Sequence, residues 1–233
     1  PTVSSVIRLY CIPYAGIITR REKNMKNQTN VKDMVATALF AALIIIMAFT
    51  PFLGYIPLGF TRATIIQVPV ILASLMLGPA RGALLGGIFG MTSFINNTIN
   101  PTVTSFVFTP FYSFGGVEGG VPSIIICFLP RILTGVVPFY VYQGIKATAR
   151  QKGNTAALAA AGVTGALTNT LLVMNMIFFF FKDQYAAANN VAAGGVYRFI
   201  LSIIGINGVP EAIISGVLAA TIGRVLMNKR VRL

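Results

Sequence analysis

One arginine, Arg131, stands directly after Pro130 in an apolar stretch that is otherwise uncharged from Val121 to Gly144. A guanidinium at membrane depth costs at least about 2.5–3.5 kcal/mol on insertion scales, so it normally faces a protein cavity and marks a function. Its planar fork suits bidentate hydrogen bonding to a carboxylate or phosphate, which points to an anionic ligand. The residues also offer internal partners: Glu118, Glu211, or the helix carbonyls that Pro122, Pro130 and Pro138 leave free. Side-chain amides are the second group. Asn96, Asn97 and Asn100 cluster in one stretch, and Asn169 sits between Thr168 and Thr170. Amides and hydroxyls of this kind can orient a polar ligand. They can equally act as glue between helices, worth about 0.6–2 kcal/mol per contact in a membrane.

Other chemistries are excluded by what the sequence lacks. There is no histidine, so a Ser-His pair and the common zinc sites are ruled out. No Gly-x-x-x-x-Gly-Lys-[Ser/Thr] run occurs, so the chain does not itself hold ATP in a phosphate loop. The two cysteines, Cys11 and Cys127, lie far apart and form no disulfide framework or metal-ligand pair. Asp33, Asp183, Glu118 and Glu211 all map near the ends of apolar runs, leaving little for a proton relay. Neither enzyme activity nor a metal or cofactor is expected, and any transport by this chain draws its energy from elsewhere.

The elements that position these residues are membrane helices. Of 233 residues 55% are hydrophobic and 10% charged, against about 25% charged in soluble domains, and the mean hydropathy is +0.79. A formal charge of +13 would suggest nucleic acid in a soluble protein, but here the positive residues lie in short segments between apolar runs. The positive-inside rule accounts for them without a nucleic-acid partner. About 20 apolar residues cross the hydrocarbon as a helix. That length predicts an all-α integral membrane protein with spans at Met34–Leu53, Ala63–Ala80, Gly82–Ile99, Val121–Gly144, Thr155–Phe181 and Gly208–Leu226.

Gly78-Pro79-Ala80-Arg81-Gly82 makes a tight hairpin between the second and third spans. Glu211 falls in the first turn of the sixth, where a carboxylate complements the helix dipole. Residues 185–206 are left as an outer loop with an interfacial segment.

Charge sets the orientation. With six spans and both termini cytoplasmic, Lys26, Lys32, Arg81, Lys146, Arg150, Lys152, Arg224, Lys229, Arg230 and Arg232 lie inside, and only Arg62, Lys182 and Arg198 outside. Residues 1–24 end in Arg20-Arg21-Glu22-Lys23-Asn24 just before Met25. A cleaved signal peptide has the opposite polarity, so 1–24 reads as an upstream extension and 25–233 as a single membrane domain.

Two further features bear on function. The outer stretch 100–120 carries Phe106, Phe108, Phe111, Tyr112 and Phe114 beside the pairs Gly115-Gly116 and Gly119-Gly120. It suits a lid over a cavity mouth, or a set of aromatics at the membrane interface. On the first span, Ala38 and Ala42 are spaced i, i+4, and small residues at that spacing let another helix approach closely.

Together these residues resemble the S components of energy-coupling factor (ECF) vitamin transporters. The resemblance lies in Ile56-Pro57-Leu58-Gly59-Phe60-Thr61, Ala63-Thr64-Ile65-Ile66, Pro69-Val70-Ile71, Leu77-Gly78-Pro79-Ala80-Arg81-Gly82-Ala83 and Gly86-Gly87-Ile88-Phe89-Gly90-Met91-Thr92-Ser93, and in Ala38-x-x-x-Ala42, which looks like the family's docking motif. Asn96-Asn97-Thr98, Thr109-Pro110-Phe111, Pro130-Arg131 and Leu167-Thr168-Asn169-Thr170 look most like the pantothenate branch.

The resemblance implies a high-affinity vitamin-binding subunit in the bacterial cell membrane. It would dock on a shared transmembrane subunit, with two ATPase subunits supplying the energy, and would topple in the bilayer to release its cargo inward. It also implies a site in which Arg131 clamps the carboxylate, Asn97, Asn169 and Thr168 meet hydroxyl and amide groups, and Tyr112 belongs to a closing loop. Folate, riboflavin and hydroxymethylpyrimidine are the alternative vitamins. An autonomous secondary carrier and a protein-binding membrane scaffold are the readings from other classes. A carrier would often show two similar halves, and no internal repeat is evident.

Overall fold

The computed structural model describes residues 31–50, 54–57, 62–114, 117–148, 154–189, 191 and 195–230. The extension expected at 1–24 lies outside them. Backbone packing divides the chain into Pro1–Leu39 and Phe40–Leu233. Helix α1 is Val31–Phe49. Next come a ribbon of two antiparallel strands, β1 (Tyr55–Pro57) and β2 (Arg62–Thr64), then α2 (Gln67–Leu77) and α3 (Pro79–Ile99). A 3-10 turn at Ser105–Val107 and a second ribbon, β3 (Ser113–Phe114) with β4 (Val117–Glu118), lead to α4 (Val121–Thr134) and α5 (Val137–Thr148). The chain ends in α6 (Asn154–Ala188), α7 (Val196–Ile203), a π turn at Ile204–Gly208, and α8 (Val209–Arg230).

Among the described residues four helical stretches are long and apolar enough to cross a membrane: Val31–Phe49, Val121–Thr148, Thr155–Ala188 and Val196–Met227. The protein is therefore helical and multi-pass, with short ribbons confined to connections.

Several boundaries differ from those expected of the sequence, each for a physical reason. The second run does not start its helix at Ala63, because Arg62–Thr64 pairs with Tyr55–Pro57 and leaves α2 only 11 residues, about 16 Å long. The fourth run is two helices. Pro138 has no N–H for the Thr134 carbonyl, and the chain tightens there through Gly135 N–H to Ile132 O and Val136 N–H to Leu133 O, both 3.0 Å. Helix α6 continues past its expected end but breaks its dihedrals there, at Phe181 (φ −132°, ψ 27°). Residues 185–206, expected as a loop, are largely helical: α6 runs to Ala188 and α7 begins at Val196. The wide turn Ile204–Gly208 contains Gly205 and Gly208 and precedes Pro210, whose missing N–H disturbs the regular ladder.

Lipid tails supply no hydrophobic drive between helices, so the helices must pack by close contact. Gly82, Gly86 and Gly90 form one stripe on α3. A Cβ at Gly82 would lie 2.0 Å from Gly135 O, one at Gly86 2.3 Å from Arg131 O, and one at Gly90 3.3 Å from Cys127 O. Backbone thus meets backbone directly where α3 crosses α4 at Gly86, and where Gly135, just beyond α4, meets Gly82, while at Gly90 the Phe128 ring is the nearest neighbour. Helices α6 and α8 do the same at Gly162, where a Cβ would be 2.4 Å from Ser215 O. The hairpin expected at Gly78 is present, and Gly78 has a φ of +93°, which suits glycine alone. Side chains fill the remaining interior, including Phe106, Ile126, Ile177 and Ile200 in one cluster and Ile44, Val70, Leu85 and Phe89 in another.

Candidate functional site: a buried guanidinium among unpartnered amides

Arg131 lies about 15 Å along α4 from Val121 at 1.5 Å per residue, well inside the 28-residue stretch Val121–Thr148. Two neighbours fix it. Pro130 has no N–H for the Ile126 carbonyl, and Arg131 Nη1 donates to that oxygen at 2.7 Å. Gly86 brings α3 against the Arg131 carbonyl. The guanidinium carbon is 5.8 Å from the centroid of the Phe89 ring and 5.1 Å from that of Phe108, so two aromatic faces flank the charge.

Arg131 is 7% exposed, and its Nε has no hydrogen-bond partner. Glu211 is within electrostatic reach, but its oxygens are taken elsewhere. Oε1 accepts from the Thr64 backbone N–H, and Oε2 from Thr170 Oγ1 at 3.0 Å. Of the internal partners weighed for Arg131, the side chain of Glu118 lies outside the described residues, Glu211 is engaged elsewhere, and the proline-freed Ile126 carbonyl is bound directly. One edge of the guanidinium remains open.

Asn169 on α6 is buried, and its Oδ1 has no partner. Its neighbour Thr168 is half-buried and turns its hydroxyl back to Thr164 O at 2.7 Å. Asn97 is engaged at both ends: Nδ2 donates to Ser93 O at 2.9 Å, and Oδ1 accepts from Ser105 Oγ at 3.0 Å.

Asn97 therefore ties the end of α3 to the aromatic segment that follows. Thr98 and Thr109 hydroxyls meet at 2.9 Å, and Ser123 Oγ donates to Phe106 O at 2.7 Å, stitching the same segment to α3 and α4. Its aromatics divide. Phe106 is buried, Phe108 covers Arg131, Tyr112 is half-buried against the outer cluster, and Phe111 is exposed. Ala38 and Ala42 are both exposed on α1.

Residues not singled out from the sequence complete the polar set. Gln67, at the start of α2, is wholly buried; its Nε2 donates to Ser215 Oγ at 3.2 Å and its Oε1 has no partner. Thr64 and Thr170 hold Glu211. A lone glutamine in an apolar run was a legible signal. The role of Thr64 was not, because it acts through its backbone.

This is a helical membrane protein in which a buried cation lies beneath an aromatic segment and two buried amide oxygens have no donor, groups that can hold a small anionic molecule. Residues 32–223 match the family model described as the ECF transporter substrate-specific component. The chain belongs to that family: it is an S component of an ECF transporter.

It is 32% identical over 205 residues to the pantothenic acid transporter PanT of Lactococcus lactis subsp. cremoris, covering 87% of this chain and 97% of that protein. It is 28% identical over 207 residues to the pantothenate transporter PanT of Leuconostoc mesenteroides, covering 86% of this chain and 95% of the relative. In fold it is similar to the S component for biotin from an ECF-type ABC transporter, with a TM-score of 0.51, 20% identity, and coverage of 85% of this chain and 94% of that one.

Proposed function

We propose that this S component captures pantothenate in a bacterial cell membrane and delivers it to an ECF complex. The observation that carries the reading is the open edge of Arg131. A guanidinium buried between two rings, with a free Nε and no carboxylate at ion-pair distance among the described residues, is a site for a carboxylate from outside the chain. The two relatives named for pantothenate support the choice of acid.

In this reading Arg131 clamps the carboxylate and Asn169 Oδ1 accepts from an N–H or O–H of the ligand. Thr168 lies beside that contact. Asn97 and Tyr112 hold the aromatic segment that closes over the bound molecule, and that segment has to part for the ligand to reach the buried atoms. The protein crosses the membrane six times with both ends in the cytoplasm, as its positive residues favour. The exposed Ala38 and Ala42 dock on the shared transmembrane subunit, and two partner ATPases supply the energy.

Equilibrium binding of radiolabelled pantothenate to the purified chain in detergent, without ATP, tests this. Saturable binding displaced by unlabelled pantothenate but not by biotin, folate or riboflavin is expected. Failure to bind pantothenate, or preference for another vitamin, refutes it.

A further inference from the structure

Gln67 carries an observation that the carboxylate clamp leaves unused. Its amide is wholly buried and held at one end by Ser215 Oγ, yet the other end, Oε1, meets no donor. Native folds leave few buried acceptors unsatisfied, and an exception calls for an explanation, of which a partner from outside the chain is one. If the amide served only to tie α2 to α8, the second acceptor would be buried to no purpose.

The surroundings of Gln67 belong to the same polar region as Arg131. Just before it in the chain, the Thr64 N–H binds Glu211, one helical turn before Ser215 on α8. The other oxygen of Glu211 binds Thr170, next in sequence to Asn169, and Glu211 lies within electrostatic reach of Arg131. Besides the Ser74 hydroxyl about two turns further along α2, the buried side-chain atoms without partners among the described residues are a cationic donor, Arg131 Nε, and two amide acceptors, Asn169 Oδ1 and Gln67 Oε1. That set complements an acid bearing hydrogen-bond donors away from its carboxylate.

We infer that Gln67 is a specificity-determining ligand contact whose Oε1 accepts from a hydroxyl of the bound hydroxy acid. Ser215 is the positioning residue that fixes which way the amide points. This rests on the pantothenate reading above and adds to it the residue that reads the hydroxylated end. A site built around a hydroxyl rejects a ligand without one, because its own acceptor is then left bare.

The test compares pantothenate with N-(3,3-dimethylbutanoyl)-β-alanine, the same acid with both hydroxyls replaced by hydrogen, in calorimetric titrations of wild type, Gln67→Leu and Ser215→Ala. Wild type is expected to prefer pantothenate by on the order of tenfold or more. Gln67→Leu should lose about that factor for pantothenate and almost none for the dideoxy compound, so that the preference collapses. Ser215→Ala should shrink it partway. Gln67→Met, nearer in shape, serves the same comparison should the leucine variant not fold. A preference that survives in the Gln67 variant, or equal losses for both compounds, overturns the inference alone. Wild type binding neither compound overturns the pantothenate reading and this inference with it.

Discussion

Replacing Arg131 by Met keeps most of the apolar stem between Phe89 and Phe108 and removes the charge. The structure sets the size of the effect on binding. Nη1 already serves the Ile126 carbonyl at 2.7 Å, so Nε and the remaining guanidinium N–H groups are left for a carboxylate. One to two charge-assisted bonds at about 1.5–3 kcal/mol each make roughly 3 kcal/mol, a loss of about a hundredfold in affinity.

Stability of the empty protein should respond quite differently. Deleting a buried cation that has no close counter-ion among the described residues relieves a desolvation cost, while the Ile126 carbonyl loses a bond worth about 1–3 kcal/mol. These oppose each other, and the unfolding temperature in detergent should shift by only a few degrees. Calorimetric titration with pantothenate and a thermal melt of the ligand-free variant read the two quantities separately. A dissociation constant within threefold of wild type would refute the clamp. A collapse of the melt alongside the affinity would make Arg131 a structural tie to Ile126 instead.

Gly86→Ala should destabilise the protein by about 1–3 kcal/mol, because the new methyl would sit 2.3 Å from Arg131 O; it should also weaken pantothenate binding, since the clamp moves with that carbonyl. Gly87→Ala is the control, with no atom within 4 Å of its Cβ, and should raise the melting temperature slightly through the roughly 0.8–1 kcal/mol helix preference of Ala over Gly without changing affinity. The double variant Ala38→Leu, Ala42→Leu should bind pantothenate as wild type does yet lose ATP-driven uptake when reconstituted with the transmembrane subunit and ATPases. Uptake that persists in proteoliposomes would remove these alanines from the docking surface.

What could be read from the sequence divides by the kind of signal. Arg131 stood out because a charge in an apolar run is expensive, and the Gly78-Pro79 hairpin because those residues admit few backbones. The ribbon at Arg62–Thr64 was hidden, since the short uncharged run Ala63-Thr64-Ile65-Ile66 reads alike whether it pairs as a strand or winds as a helix. Hydropathy likewise continued smoothly through Phe181, where the break is one of dihedral angles. The stripe Gly82, Gly86, Gly90 was visible at the spacing used to single out Ala38 and Ala42, and it leaves no room for a Cβ at Gly82 or Gly86; its meaning required knowing that α4 lies opposite. Asn97 shows the reverse limit. A residue type suited to ligand contact has both ends of its amide occupied by Ser93 and Ser105, because which partners an amide finds depends on tertiary neighbours that spacing does not reveal.

The two halves of the proposed site rest on differently built parts of the fold. The cation belongs to the α3–α4 pair, where glycine lets backbones touch and leaves little room for adjustment. The acceptor of Gln67 belongs to the start of α2, just after a ribbon of three residues per strand, and Gln67 is held by its hydrogen bond to Ser215 on α8, where Glu211 in turn binds Thr64 of the ribbon and Thr170 of α6. Helix α2 is buried from Gln67 to Leu75, so this part of the fold is held as firmly as the first. Carboxylate and hydroxyl would therefore each find a partner already in place, the first a charge-assisted donor and the second a neutral acceptor. Affinity would then come mainly from Arg131 and discrimination from Gln67, so the Arg131 variant should lose binding of pantothenate and its dideoxy analogue alike, the opposite pattern to that of Gln67→Leu.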